Sequence, residues 1–261
     1  MKKTRVLKKI EHNKKNKDLV APYDGTSEII AESTLCRDES GKLVFWYITN
    51  FFEKINLTKY FRAVKYGKQP RNSGLITTDK VFGFSGRDAI RNFPARITSL
   101  HSSQPEVGKF FLALASIIDK KMQELPEYKQ QQETVQKEIP LDYIIPNSIF
   151  TSGVINKNNQ LSYHYDSGNL KDTISALITC RSGSESGGII HIPDYGIYLK
   201  NLNKSILFFN NKETLHAVTP IDKNEERYTA AYYTMANLRG CGTYEDEIKM
   251  INQNQMKKFT K

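Results

Sequence analysis

Tyr163-His164-Tyr165-Asp166 is the stretch on which the reading of this 261-residue chain turns. It lies in a region, from residue 147 onward, where short β-prone runs alternate with Gly, Asn, Asp and Pro. In an extended strand, residues i and i+2 point to one side, so His164 and Asp166 face a common point. His216, in Leu215-His216-Ala217-Val218-Thr219-Pro220, follows 52 residues downstream on another such run. The β-prone runs are Ser148–Asn156, Thr173–Cys180, Gly188–Pro193, Gly196–Leu199, Ser205–Phe209, Thr214–Thr219 and Arg227–Met235. Strands at this spacing predict a sandwich, jelly roll or barrel.

Two imidazoles and one carboxylate on one side of a metal ion form the facial triad of non-haem Fe(II) oxygenases, which leaves three positions open for co-substrate and O2. Eleven residues after His216, Arg227 opens the run Arg227-Tyr228-Thr229-Ala230-Ala231-Tyr232-Tyr233. A neighbouring strand would carry its guanidinium into the same interior, where it needs an anion. The planar fork suits the distal carboxylate of a dicarboxylic acid, so the inferred co-substrate is 2-oxoglutarate. A His-x-Asp pair alone is common, and a lone histidine on a strand is more often a core or surface residue. The joint pattern of pair, second histidine and arginine carries the reading. His101 and His191 are set aside as hydrogen-bonding or surface residues.

The same residues resemble the double-stranded β-helix Fe(II)/2-oxoglutarate dioxygenases, and within them the TET/JBP group of nucleic-acid 5-methylpyrimidine hydroxylases. The resemblance spans residues 147–236. It rests on Phe150-Thr151-Ser152-Gly153, His164-Tyr165-Asp166-Ser167-Gly168-Asn169, Gly187-Gly188-Ile189, Ile192-Pro193-Asp194-Tyr195-Gly196 and His216-Ala217-Val218-Thr219-Pro220. It implies iron on His164, Asp166 and His216, with 2-oxoglutarate held by Arg227 and Thr229. An upstream arginine caps the other end of the co-substrate; Arg96 is the candidate, beside Arg87 and Arg91. Asn169 is implied to touch the target base and Tyr233 to stack on it. Met235 stands where the animal enzymes carry a second base-contacting histidine, which leaves thymine and 5-methylcytosine both open. A base worked on at C5 must leave the stack, and an amide edge beside aromatic faces suits that task.

The expected fold is α+β with a mainly β core, a distorted jelly roll flanked by helices. A basic, flexible arm is expected over residues 1–18 and one dioxygenase domain over 19–261. Within it, 19–146 would supply helical support and substrate-facing segments, 147–236 the catalytic core and 237–261 a C-terminal helical segment. Apolar positions from Val107 to Met122, spaced by three and four, predict a helix between Pro105 and Pro126. Residues 127–138, rich in Gln, Lys and Glu, read as a surface loop or a solvated helix.

Of the net charge of +10, the arm holds +6, from eight basic and two acidic residues in the first 18. Such an arm attracts polyanions, and DNA is the expected partner. No apolar run is long enough for a membrane helix, and the basic start has no apolar segment behind it, so no membrane partner and no secretion are expected. Three widely spaced cysteines indicate neither a disulfide framework nor a zinc site, and point to an intracellular setting, cytoplasm or nucleus. The sequence implies no protein partner. Two other functions fit the same pattern: a prolyl or other protein hydroxylase using the same iron and 2-oxoglutarate site, and a jelly-roll reader of modified DNA without turnover.

Overall fold

A computed structural model describes residues 3–71, 73–88, 93–183 and 186–259. Its strands are β1 Lys3–Leu7, β2 Glu28–Ile30, β3 Thr34–Asp38, β4 Leu43–Ile48, β5 Gly67–Pro70, β6 Ile76–Ser85 and β7 Arg96–Ile97. They continue with β8 Ser152–Lys157, β9 Leu161–His164, β10 Ser175–Ser182, β11 Ile190–Ile192, β12 Ile197–Leu199, β13 Ser205–Phe209, β14 His216–Val218 and β15 Glu226–Tyr233. The helices are α1 Leu57–Ala63, α2 Ser99–Ser103, α3 Pro105–Met122, α4 Tyr128–Glu138 and α5 Tyr244–Phe259.

Eight consecutive strands, β8 to β15, make the jelly roll. Four of them lie in the large sheet in the order β13-β10-β15-β8, and four in the small sheet in the order β12-β11-β14-β9. The chain thus crosses between sheets as a double Greek key does. On one side the large sheet is extended past β13 by β4, β3 and β1, on the other past β8 by β6 and β5; β2 extends the small sheet past β12. The core between the sheets draws on both: Val44, Phe45, Tyr47, Leu207 and Phe209 from the large one, Ile190, Ile192, Leu199 and Val218 from the small one. β13 (Ser-Ile-Leu-Phe-Phe) is buried along its whole length, as a central strand covered on both faces must be.

The chain clusters into two compact units. The first comprises residues 1–80, 154–167 and 174–231, the second 81–153, 168–173 and 232–261. Strands β6, β8 and β15 each contribute residues to both. In the second unit α3 buries Val107, Phe111, Leu114, Ile118 and Met122 of the predicted stripe, while Ile117 stays exposed and Phe110 partly so. Phe82 packs on Phe111 and Tyr232, and the Tyr232 hydroxyl donates to the Phe111 carbonyl at 2.9 Å. Residues 128–138 are helical, and α4 buries Tyr128, Gln131 and Val135.

Two expectations need correction. The support within 19–146 is not mainly helical, since β2 to β7 lie there beside α1 to α4. The arm is also not a free tail over its described length. Lys3–Leu7 pairs in parallel with Thr34–Asp38, and Arg5 is bonded to Glu28. Further along, the Ile10 amide donates to the Asp194 carbonyl, and Lys17 and Asp18 exchange backbone hydrogen bonds with Tyr163 at 2.7 and 2.9 Å. A strand needs only a complementary edge, and β3 offers one that the basic composition of the arm does not reveal.

Candidate active site

His164 is the last residue of β9 and His216 the first of β14, and the two stand directly opposite each other in the antiparallel pairing. Their ring centroids are 4.2 Å apart. Asp166 is not on the strand, as the i, i+2 argument has it, but in the irregular backbone just past its end. Its amide donates to the Asn211 carbonyl at 2.9 Å, and this bond brings the carboxylate back toward the histidines. His164 Nε2 lies 3.4 Å from Asp166 Oδ1. One donor atom from each of His164, Asp166 and His216 lies within 4.8 Å of the others, and this is the one such cluster among the described residues.

Both histidines are set for ligation. The Nδ1 of His164 is 2.8 Å from the Ser162 carbonyl and that of His216 is 2.9 Å from the Thr214 carbonyl. A carbonyl only accepts, so each Nδ1 carries a proton, which leaves Nε2 as the ring nitrogen turned toward a metal. Burial, then the neighbouring His164, pushes His216 down to about 4 against the pull of Asp166, which keeps it neutral. For His164 burial acts downward but is outweighed by the Asp166 hydrogen bond and charge, so the net direction is up. Asp166 is lowered: burial opposes this, while His164 and His216 favour its charged form.

Arg227 and Thr229 sit two apart on β15, on one side of the strand, and both are buried. The Nε of Arg227 has no hydrogen-bond partner among the described residues. Burial, with Arg181 nearby, pushes its pKa down to about 9. A buried guanidinium edge without a partner fits an anionic ligand, because leaving it unpaired costs several kcal/mol. Gly188, at φ +60°, makes room for it: a Cβ there would stand 2.7 Å from Arg227 Cδ. Thr229 accepts a long hydrogen bond from Asn156 at 3.4 Å.

The other expected site residues belong to the second unit. Asn169 is buried and forms a backbone bridge with Met235, flanked by bonds from the Leu170 amide to the Thr234 carbonyl and from the Ala236 amide to the Gly168 carbonyl. Tyr233 ends β15 and is half-buried. Arg96 donates to the Pro94 carbonyl at 3.2 Å and lies 4.6 Å over the Phe93 ring. Arg87 is taken up by Glu247, and Arg91 lies outside the described residues. His101 accepts from the Gly83 amide, and His191 is hydrogen-bonded to Tyr163.

Sequence reasoning passed over two groups in the first unit. Asn211 binds Asp166 through both main chain and side chain, and Arg181 and Glu225 form a fully buried ion pair at 2.6 Å. Neither carries a local signal. Asn211 is 45 residues from Asp166, and Glu225 is 44 from Arg181.

No protein-family model and no curated protein sequence matches the chain. Among solved structures it is similar to NgTET1 in complex with 5mC DNA, at 14% identity, covering 96% of this chain and 90% of that one with a TM-score of 0.66. It also aligns with a 2OG-Fe(II) oxygenase family oxidoreductase from Burkholderia pseudomallei (10% identity, 76% and 88% covered, TM-score 0.47). A third alignment is with the viral collagen prolyl hydroxylase of Paramecium Bursaria Chlorella virus-1 (14% identity, 81% and 97% covered, TM-score 0.39). The last two scores are too low to bear on the fold. The first, with the eight-strand order above, shows that the chain has a TET-like double-stranded β-helix fold, which here carries a two-histidine, one-carboxylate centre.

Proposed function

We propose that the chain is an Fe(II)/2-oxoglutarate-dependent dioxygenase that hydroxylates the C5 methyl group of a pyrimidine, 5-methylcytosine or thymine, in DNA. The observation that carries this reading is the donor cluster of His164, Asp166 and His216, with both Nδ1 atoms turned to backbone carbonyls. Two imidazoles and a carboxylate on one side suit Fe(II) better than a closed zinc site. Bound iron supplies the redox chemistry that couples oxidative decarboxylation of 2-oxoglutarate to hydroxylation.

The chain's own groups do the rest. Arg227 presents its fork to the distal carboxylate of 2-oxoglutarate, and Thr229, on the same side of β15, adds a hydroxyl. Arg96 remains the upstream arginine for the other carboxylate, since Arg87 is engaged by Glu247. Asn169 reads the edge of the flipped base with its amide and Tyr233 stacks on its face. Support for the role of Asn169 comes from its bridge to Met235, which brings together two positions that the TET-like resemblance assigns to the base. The exposed lysines of the arm, Lys14, Lys15 and Lys17, hold the phosphate backbone. An intracellular setting accords with three buried, unpaired cysteines, Cys36, Cys180 and Cys241. Among the described residues no helix is long and apolar enough to cross a membrane.

Succinate formation from 2-oxoglutarate, with and without methylated DNA, tests this reading. Turnover by the native chain that His164→Ala abolishes supports it. Equal turnover by the variant sinks the metal assignment, and no succinate under either condition favours the non-catalytic reader.

A further inference from the structure

Asp166 has two carboxylate oxygens, and they meet different partners. Oδ1 faces His164 Nε2 at 3.4 Å. Oδ2 accepts a hydrogen bond from the side-chain amide of Asn211 at 2.5 Å, while the Asp166 amide donates to the Asn211 carbonyl at 2.9 Å. The two residues are thus tied twice, which fixes both the position and the rotation of the carboxylate. The direction of the amide follows from chemistry: an ionised carboxylate only accepts, so the NH2 of Asn211 faces Asp166 and its Oδ1 faces away. That Oδ1 accepts from the Ser175 hydroxyl at 2.7 Å. Ser175 belongs to β10, paired opposite Phe209 of β13, and the main-chain amide of Asn211 in turn donates to the Phe209 carbonyl at 3.1 Å. Ser175 and Asn211 are both buried.

We infer that Asn211, oriented by Ser175, is a positioning residue that holds Asp166 as a single-oxygen ligand of the metal. The inference rests on the reading of the triad as a metal centre. A carboxylate free to turn can offer both oxygens to one ion and so fill one of the three positions that a facial triad leaves open. With Oδ2 held by the amide, only Oδ1 is presented to the metal. Partners of this outer kind govern affinity as well as geometry, and their loss typically weakens metal binding by about 10–100-fold.

Mn(II) affinity, followed by the loss of the free-ion electron paramagnetic resonance signal, provides the test without any turnover. The native chain, Asn211→Leu, Ser175→Ala, the double variant and His164→Ala are compared, with the melting temperature of each metal-free protein recorded. Asn211→Leu keeps the volume but donates nothing, and is expected to bind about 10–100-fold more weakly at a near-native melting temperature. Ser175→Ala is expected to weaken binding less, and to add nothing in the Asn211→Leu background, because it acts through Asn211. Native affinity in Asn211→Leu, or a Ser175→Ala effect that adds in full, overturns the inference alone. Should Asn211→Leu fail to fold, unchanged affinity in Ser175→Ala overturns it equally. A native chain that binds Mn(II) no better than His164→Ala overturns the metal centre itself, and the inference with it.

Discussion

Gly188 lies so close to the side chain of Arg227 that a Cβ at residue 188 would stand 2.7 Å from Cδ and 3.1 Å from Nε. The backbone there is left-handed, at φ +60°, which a side chain also disfavours. Gly188→Ala must therefore displace the guanidinium. Loss of one of the two charge-assisted hydrogen bonds that a bidentate carboxylate would take from it, about 1.5–3 kcal/mol, is expected to weaken 2-oxoglutarate binding by about 10–100-fold. Isothermal titration of 2-oxoglutarate into the Mn(II)-loaded variant checks this, with Mn(II) affinity itself expected to hold.

Arg181 and Glu225 are paired at 2.6 Å with both side chains wholly excluded from solvent. Removing one member of such a pair strands the other, at a cost of about 3–5 kcal/mol. Glu225→Gln is therefore expected to lower stability by that amount in denaturant unfolding. Arg181→Met combined with Glu225→Leu is expected to lose much less, since no buried charge is left unpaired.

His191 Nδ1 is hydrogen-bonded to the Tyr163 hydroxyl at 2.6 Å, and its ring stacks on Tyr198 at 4.1 Å. Burial, with Lys14 and His12 adding to it, pushes this histidine down to about 4. Its folded pKa thus lies below the unfolded value of about 6.5, so on acidification the unfolded chain takes up the proton first. The folded state keeps this contribution in full above about pH 6.5 and loses about 3 kcal/mol of it by pH 4. His191→Asn never takes up that proton. Unfolding curves between pH 7 and 4.5 are expected to fall less steeply for the variant than for the native chain.

The arm is built into the first unit through β1 and the Lys17–Tyr163 pairing, so deleting residues 1–18 would remove structure along with charge. Lys14, Lys15 and Lys17 changed together to Gln keep the arm and take three exposed charges from it. DNA affinity is expected to fall, and the slope of its logarithm against that of salt to flatten by about 0.9 for each phosphate no longer neutralised. Affinity titrations on duplex DNA at several salt concentrations check this. An unchanged slope means that these lysines do not touch the phosphates.

What was legible in the sequence was what local pattern encodes. The three-and-four stripe of α3 and the mostly apolar, fully buried β13 follow from periodicity and burial, and both appear where expected. His216 and Arg227 were readable because β14 and β15 are short runs whose facing side follows from alternation. Asp166 was identified, but its place beyond the strand end was not, since the bond to Asn211 that sets it joins residues far apart in sequence. The early strands escaped for a related reason. β1 reads Lys-Thr-Arg-Val-Leu with only Leu7 buried, and its strand character comes from the open edge of β3. β5 is similarly polar and is held in register by β6, from Gly67 opposite Asp79 to Pro70 opposite Ile76. Tertiary pairing of this kind leaves no period in the sequence.

The most direct measurement is nucleoside analysis of DNA carrying 5-methylcytosine or thymine after incubation with the chain, Fe(II), 2-oxoglutarate, ascorbate and O2. A 5-hydroxymethyl pyrimidine formed by the native chain and absent with Asp166→Ala is the predicted result. No oxidised pyrimidine from either DNA, or equal amounts from the native chain and the variant, would contradict the account.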